Sequence, residues 1–102
     1  MYETQIQRGI EWLEEEHPGK DLNTVRLDDL KLDDWDKCIL GQLLGGVDCK
    51  SMIWSEPIWA KDHGFSLSMF ATDDDWELLT LEWARILRAR RAARNSESKV
   101  GQ

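Results

Sequence analysis

The sequence predicts a small all-α domain of about four helices, with an extended leucine-rich connector after the first. Apolar side chains recur with the 3.6-residue period of a helix near both ends of the chain, in residues 3–16 and 72–94. A length of 102 residues suits one domain, and six tryptophans supply large side chains for a single core. We therefore expect residues 1–94 to form one helical domain.

The first predicted helix covers residues 3–16. Gly9 lies on its apolar side, and because glycine costs about 1 kcal/mol in a helix interior, we expect another element to approach closely there. Pro18 ends the helix, since the residue before a proline disfavours the helical conformation. The apolar stripe consists of Tyr2, Ile6, Ile10 and Leu13.

The middle of the chain lacks long periodic segments. Residues 20–34 place leucines among charged side chains without a regular period, which indicates an extended connector that packs leucines onto the core. Residues 35–44 are apolar around much of their circumference and predict a buried helix, in which Gln42 bonds to neighbouring backbone. Residues 47–54 are predicted to be a connection, and a short helix starts at Ser55 as its N-cap.

The last helix has the clearest signals. The short helix before it ends at Gly64, in a left-handed cap. Thr72 with Asp75 three residues later forms a capping box, and the helix is predicted to end near Arg94, before a disordered polar tail at 95–102. The predicted buried stripe of this helix consists of Trp76, Leu79, Thr80, Trp83, Ile86 and Leu87.

The formal net charge of −7 is distributed unevenly. Residues 1–82 carry 7 basic and 19 acidic side chains, whereas residues 83–102 carry 6 basic and 1 acidic. An acidic body repels nucleic acid, so nucleic acid is disfavoured as a partner. The apolar runs fall short of the roughly 20 residues that a membrane span needs, and polar residues interrupt the N-terminal pattern of a secretory signal. These observations predict a cytoplasmic protein without membrane contact.

Neither a metal site nor a catalytic constellation stands out. Cys38 and Cys49 are eleven positions apart without a CxxC motif, which favours free thiols in a reducing compartment. The acidic runs lack the spacing of a calcium loop, and the ligand pairs of structural zinc are missing. A Cys38–His63 pair is disfavoured because burial in an apolar helix raises a thiol pKa. We therefore predict a protein that is not an enzyme and that has no catalytic residue, metal or cofactor.

Two groups of side chains are candidates for partner binding. Five arginines follow residue 84 without an intervening acid, but helical spacing distributes them around all faces, and cations at a helix C-terminus complement its dipole. Docking on a protein or on nucleic acid remains an alternative for them. Exposed tryptophans are the better mark of an interface if the core accepts four or five of the six. The candidates are Trp12, Trp54, Arg85, Arg88 and Arg91.

Several short motifs carry a family resemblance. They are Arg8-Gly9 with Trp12-Leu13, the segment Cys38-Ile39-Leu40-Gly41-Gln42-Leu43, Trp59-Ala60 with His63-Gly64-Phe65, and Leu79 with Trp83. With these motifs the chain resembles, over residues 8–87, a group of short uncharacterised proteins of actinobacteriophages and actinobacteria. The group has no assigned activity, so the resemblance implies no residue roles. It implies the cytosol of an actinobacterial host cell and a role in phage–host interplay.

We therefore predict a non-enzymatic interaction module that modulates or inhibits a host protein by surface occlusion, through an acidic face or an exposed tryptophan. Two alternatives stay open. A small-ligand-binding domain would place Gln42, Cys38 and the tryptophans around a closed cavity. A nucleic-acid accessory protein would use the arginines of residues 85–94, and its affinity would fall steeply with salt.

Overall fold

Five α-helices and two single turns of 3₁₀-helix make up the fold within residues 2–100, the part of the chain that the computed structural model describes, with side chains as far as residue 94. No strand occurs in this range, so the all-α prediction is confirmed. In chain order the α-helices are α1 (Glu3–Glu16), α2 (Ile39–Leu44), α3 (Gly46–Ser55), α4 (Pro57–Asp62) and α5 (Asp73–Val100).

Helix α1 has the predicted bounds and packs closely against the end of α4. The side chains of Ile6, Ile10 and Leu13 are buried, as the apolar stripe requires. A Cβ atom at Gly9 would overlap the backbone carbonyl oxygen of His63 and would lie 3.1 Å from the ring of Phe65. The close approach predicted at this glycine is therefore confirmed.

The connector between α1 and α2 follows the core, as predicted. Its two 3₁₀ turns, Leu22–Thr24 and Leu27–Asp29, bring four apolar side chains inward. Gln42 bonds to backbone on both sides: its Oε1 accepts from the amide of Arg26 at 2.7 Å, and its Nε2 donates to the carbonyl oxygen of Lys37 at 2.9 Å. The predicted role of this amide is confirmed. The buried connector side chains are Leu22, Val25, Leu30 and Leu32.

The predicted helix at residues 35–44 begins later than expected, at Ile39. Asp34 causes the delay, because its carboxylate accepts from the amide of Asp36 at 2.9 Å and its carbonyl oxygen accepts from the amide of Cys38 at 2.9 Å. Such aspartate turns compete with helix formation. Trp35 therefore precedes the helix and is exposed, and Cys38 becomes the N-cap residue of α2.

The predicted connection at residues 47–54 is wrong, because these residues belong to α3. Only Gly45 breaks the chain here: its φ of 101° lies in the left-handed region that favours glycine, and α3 starts at the next residue. The N-cap predicted at Ser55 is wrong by one position. Glu56 separates α3 from α4, while the hydroxyl of Ser55 donates to the carbonyl oxygen of Ser51 at 2.6 Å.

Helix α5 has the predicted capping box and a buried face. The amide of Thr72 donates to the Asp75 carboxylate at 2.9 Å, and the amide of Asp75 donates to the Thr72 hydroxyl at 3.3 Å. The helix continues beyond the predicted end at Arg94 to Val100, since the chain has no glycine or proline before residue 101. The rest of the predicted polar tail, residues 101–102, lies outside the described residues. Among the described helices, none has both the length and the apolar composition needed to cross a membrane.

Candidate interaction site

The outer surface of α3 and α4 carries large apolar side chains. Cys49, Ile53 and Ala60 point into the core. Val47 and Trp54 are seven positions apart on α3, which places them on one face of that helix, and Ile58 follows in the first turn of α4. Their exposures are 84% for Val47, 70% for Trp54 and 77% for Ile58. We call these three residues the apolar ridge.

A groove lies beside the junction of α3 and α4. It has a volume of about 510 Å³ and is open to solvent. Trp12 of α1 and Trp59 of α4 contribute its aromatic walls, and Met52 adds a flexible apolar side chain that adapts to different occupants. The remaining lining residues are Ser51, Ser55 and Glu56.

An aromatic cluster fixes the walls of this groove. The rings of Trp12 and Trp59 meet edge to face with centroids 4.8 Å apart, and Trp59 stacks on His63 at 4.6 Å. The ring of Phe65 lies behind both tryptophans, at 6.0 Å from Trp12 and 5.7 Å from Trp59. Since each ring is held by at least one neighbour, the groove is rigid along its aromatic side.

Acidic side chains dominate the surroundings of the groove. Glu56 is one of its lining residues. On α1, the exposed residues Glu15 and Glu16 are three and four positions from Trp12 and therefore lie beside it, with the basic Arg8 four positions away on the other side. Lys50 is the basic neighbour of the ridge, with its Nζ 5.2 Å from the ring centroid of Trp54. A cation is thus already placed over one face of this exposed tryptophan.

Comparison with known protein families, curated proteins and solved structures finds no match. The family resemblance to actinobacteriophage proteins therefore stays a prediction.

The structure brings Trp12 and Trp54, the two tryptophans proposed as anchors, to the same region of the surface. Trp54 is exposed on the ridge, whereas Trp12 is half-buried in the groove wall. The prediction that most tryptophans are core residues is only partly met. Trp83 alone of the six is fully buried, three are half-buried, and Trp35 is exposed together with Trp54.

Three of the arginines on α5 contact other parts of the chain. Arg85 forms ion pairs with Glu3 of α1 at 3.8 Å and with Glu82 of its own helix at 2.6 Å, and Arg90 reaches Glu14 of α1 at 2.7 Å. The guanidinium of Arg85 lowers the pKa of the Glu82 carboxyl, chiefly by hydrogen bonding. Arg91 is half-buried and donates from Nη2 to the carbonyl oxygens of Leu22, at 3.2 Å, and Val25, at 2.6 Å. Arg91 thus holds the connector against α5.

We expect Arg91→Met to lower the free energy of unfolding by about 1–2 kcal/mol, because two connector carbonyl groups lose a charged donor while the apolar stem is kept. Urea denaturation followed by circular dichroism measures the change. Arg88→Met is the matched control, because Arg88 is exposed on the same helix. Equal losses in both variants would contradict a structural role for Arg91.

Cys38 and Cys49 form a buried thiol pair, with their sulfur atoms 2.9 Å apart. The amide of Gly41 donates to Cys38 Sγ at 3.1 Å. The hydrogen bond from Cys49 is the largest cause that lowers the pKa of Cys38; burial opposes it, and the amide of Gly41 supports it. Burial does raise the pKa of Cys38, as expected, but the hydrogen bonds that this N-cap residue accepts outweigh burial, and the net shift is downward.

The other chemistries weighed from the sequence, metal binding and catalysis by a Cys–His pair, find no assembled site among the described side chains. His63 donates from Nδ1 to the carbonyl oxygen of Trp59 at 2.8 Å and stacks on that residue's ring, which is a structural role. Within residues 2–94, no three His, Cys, Asp or Glu side chains are grouped so that they could hold a metal ion.

Sequence reasoning missed Val47 and Ile58 as surface residues. The signal was present, since Cys49 and Ile53 are four positions apart and define the buried face of a helix. The opposite face then contains Val47 and Trp54. Predicting a connection at residues 47–54 concealed this pattern. Met69 and Phe70, exposed in the segment before α5, were also missed, and no periodic pattern surrounds them.

Proposed function

We propose that this chain is a non-enzymatic interaction module that binds a protein through the apolar ridge and the adjoining groove. The observation that carries the proposal is the exposure of Val47, Trp54 and Ile58 on two consecutive helices beside an aromatic groove. Large apolar side chains grouped on a surface are typical of protein interfaces. Tryptophan is also the residue type most enriched among those that dominate binding energy.

The charges around the groove favour a basic partner surface that carries apolar side chains. Glu56 lines the groove, Glu15 and Glu16 lie beside Trp12, and residues 1–82 carry a large excess of acid. Complementary charge speeds association and disfavours acidic partners, including nucleic acid. An arginine of the partner can replace Lys50 over the ring of Trp54, since guanidinium groups favour this position.

The partner we propose is a host protein with a basic functional surface, which this chain would cover and so inhibit. Two observations support the proposal. Residues 1–82 carry 19 acidic and 7 basic side chains, an excess that complements a basic surface. The resemblance predicted from the sequence, to short proteins of actinobacteriophages and actinobacteria, is consistent with a host protein as the target.

We expect the double variant Trp54→Ser/Ile58→Ser to lose partner binding by about 30-fold or more, as the loss of a central anchor of at least 2 kcal/mol requires. The tagged chain captures partners from a nuclease-treated actinobacterial lysate, and each captured protein is then purified and titrated by calorimetry. Both substituted side chains are exposed, so the fold is expected to keep its stability within about 0.5 kcal/mol.

Met69→Ser/Phe70→Ser is the matched control, because it removes two exposed apolar side chains outside the ridge and groove. A partner bound through the ridge binds this variant as tightly as the unmodified chain. The affinity of this partner for the unmodified chain also falls when the salt concentration rises from 50 to 500 mM, because salt screens the ion pairs between the two proteins. A partner that binds the ridge variant equally well would contradict the proposal. Material that is captured from an untreated lysate but not from the nuclease-treated lysate would favour nucleic acid instead.

A further inference from the structure

The thiol pair lies at the junction of two helices that meet at Gly45. Cys38 is the N-cap of α2, and Cys49 is in the first turns of α3. The positive φ of Gly45 turns the chain between these helices and brings the two cysteines together from positions eleven residues apart. Their side chains are 2% and 0% exposed, so contact with a thiol of another molecule is blocked.

We propose that Cys38 and Cys49 form a reversible intramolecular disulfide, and that the α2–α3 junction is thus an oxidation site of this chain. The sulfur atoms are 2.9 Å apart, whereas a disulfide bond measures about 2.05 Å. The gap that remains to be closed between the two sulfur atoms is therefore about 0.9 Å.

The hydrogen bonds decide which sulfur reacts first. The Gly41 amide donates to Cys38 Sγ, and in the contact between the two sulfur atoms Cys49 is the donor whenever Cys38 is the thiolate. Both bonds favour the Cys38 thiolate and lower its pKa. The pKa of Cys49 is raised, first because its proton is shared with Cys38 and then because of burial. Cys38 is therefore the nucleophile and Cys49 the resolving thiol.

A peroxide is the class of oxidant that fits a buried thiolate, because hydrogen peroxide is barely larger than water. The Cys38 thiolate attacks one peroxide oxygen, the O–O bond breaks, and the leaving hydroxide takes up the proton that Cys38 released on ionising, which gives a sulfenic acid and one water. Cys49 sulfur then attacks Cys38 sulfur: the S–S bond forms, the S–O bond breaks, and the departing hydroxide takes the Cys49 proton. Two thiols and one peroxide thus become one disulfide and two waters.

Cross-linking is expected to stabilise the fold. The bond closes a loop of residues 38–49 and so restricts the unfolded chain, while it joins two helices that are already in contact. We expect the oxidised protein to melt about 10 °C above the reduced protein.

The test treats the folded full-length chain with hydrogen peroxide and measures its intact mass. We expect a loss of two hydrogens, located in the tryptic peptide of residues 38–50, which contains both cysteines. A thiol reductant reverses this loss fully once the protein is unfolded in guanidinium and the disulfide is accessible. In Cys49→Ala the reaction stops at the Cys38 sulfenic acid, which is detected as a gain of one oxygen in the same tryptic peptide. In Cys38→Ala the remaining thiol reacts at least tenfold more slowly than Cys38 does in Cys49→Ala.

Several outcomes would overturn the proposal. One is an unchanged mass under conditions that oxidise glutathione completely. Others are a covalent dimer, or two oxygens added to one cysteine in place of the disulfide. A disulfide that forms only after denaturation in guanidinium would also contradict it, because the folded geometry would then not be its cause. These outcomes are measured on the unmodified chain and do not depend on whether either variant folds.

Discussion

Trp83→Ala is expected to lower the free energy of unfolding by about 3–5 kcal/mol, the largest loss for any single side chain in this fold. Trp83 is 0% exposed, and its ring stacks on Phe65 with centroids 5.8 Å apart. Its indole N–H donates to the carbonyl oxygen of Gly64 at 2.6 Å. Alanine would leave both a cavity and a buried carbonyl group without its donor. Thermal unfolding followed by circular dichroism should show a melting temperature lower by roughly 20 °C.

Two further variants separate the causes of this loss. Trp83→Phe keeps an aromatic ring beside Phe65 but removes the donor to Gly64, so an intermediate loss of about 1–3 kcal/mol is expected. Trp54→Ala removes a tryptophan that is 70% exposed, and we expect a change within about 0.5 kcal/mol. A melting temperature for Trp83→Ala within a few degrees of the unmodified protein would contradict the central role of this side chain.

The two terminal helices were predictable from sequence because their signals are local. In α1, the apolar residues recur along one face and Pro18 marks the end. In α5, Thr72 and Asp75 cap each other, which is a contact over three residues. The connector was also predictable, since its leucines lack a period and each packs inward separately. No distant part of the chain is needed to specify these features.

The helices in the middle were harder to predict because they are short and their limits depend on single side chains. The carboxylate of Asp34 delays the start of α2, an effect that the apolar pattern of residues 35–44 does not reveal. Of the two consecutive glycines, only Gly45 adopts a positive φ, while Gly46 belongs to α3. Treating both as a terminator led to a predicted connection where a helix exists.

Several features of the candidate sites depend on contacts between residues that are distant in the sequence. These features could not be predicted from local patterns. Helical spacing correctly distributed the arginines around α5, but the path of the connector determines that Arg91 contacts the carbonyl groups of Leu22 and Val25. Likewise, the Cys38–Cys49 contact depends on the turn at Gly45. The exposure of Trp54 was predicted, whereas its position beside an aromatic groove required the packing of three helices.

The turn that follows α4 joins the first and last helices of the domain. The carbonyl oxygen of Gly64 accepts from Trp83 of α5, and the backbone of Ile6 in α1 lies about 3.0 Å from where a Gly64 Cβ would be. The preceding carbonyl group, that of His63, fills the space above Gly9. Strain at Gly9 would therefore be transmitted to Trp83 through one short segment.

Gly9→Ala is for this reason expected to destabilise the protein by about 2–3 kcal/mol, through overpacking against a backbone carbonyl group. The expected destabilisation is informative, because a Gly→Ala change inside a solvent-exposed helix stabilises a protein by about 1 kcal/mol. Here the added methyl group overlaps the carbonyl oxygen of His63, which is fixed by the turn and cannot rotate away. Urea denaturation followed by circular dichroism measures the difference.

Gly19→Ala provides the matched control, because no heavy atom lies within 4 Å of the added methyl group. We expect a change within about 0.5 kcal/mol for this variant. Displacement of α1 in Gly9→Ala should also move Trp12 away from Trp59 and so weaken binding at the groove, an effect that Gly19→Ala lacks. A stabilised Gly9→Ala protein would show that α1 and the turn after α4 do not pack closely, and the rigid aromatic wall of the groove would then lose its structural basis.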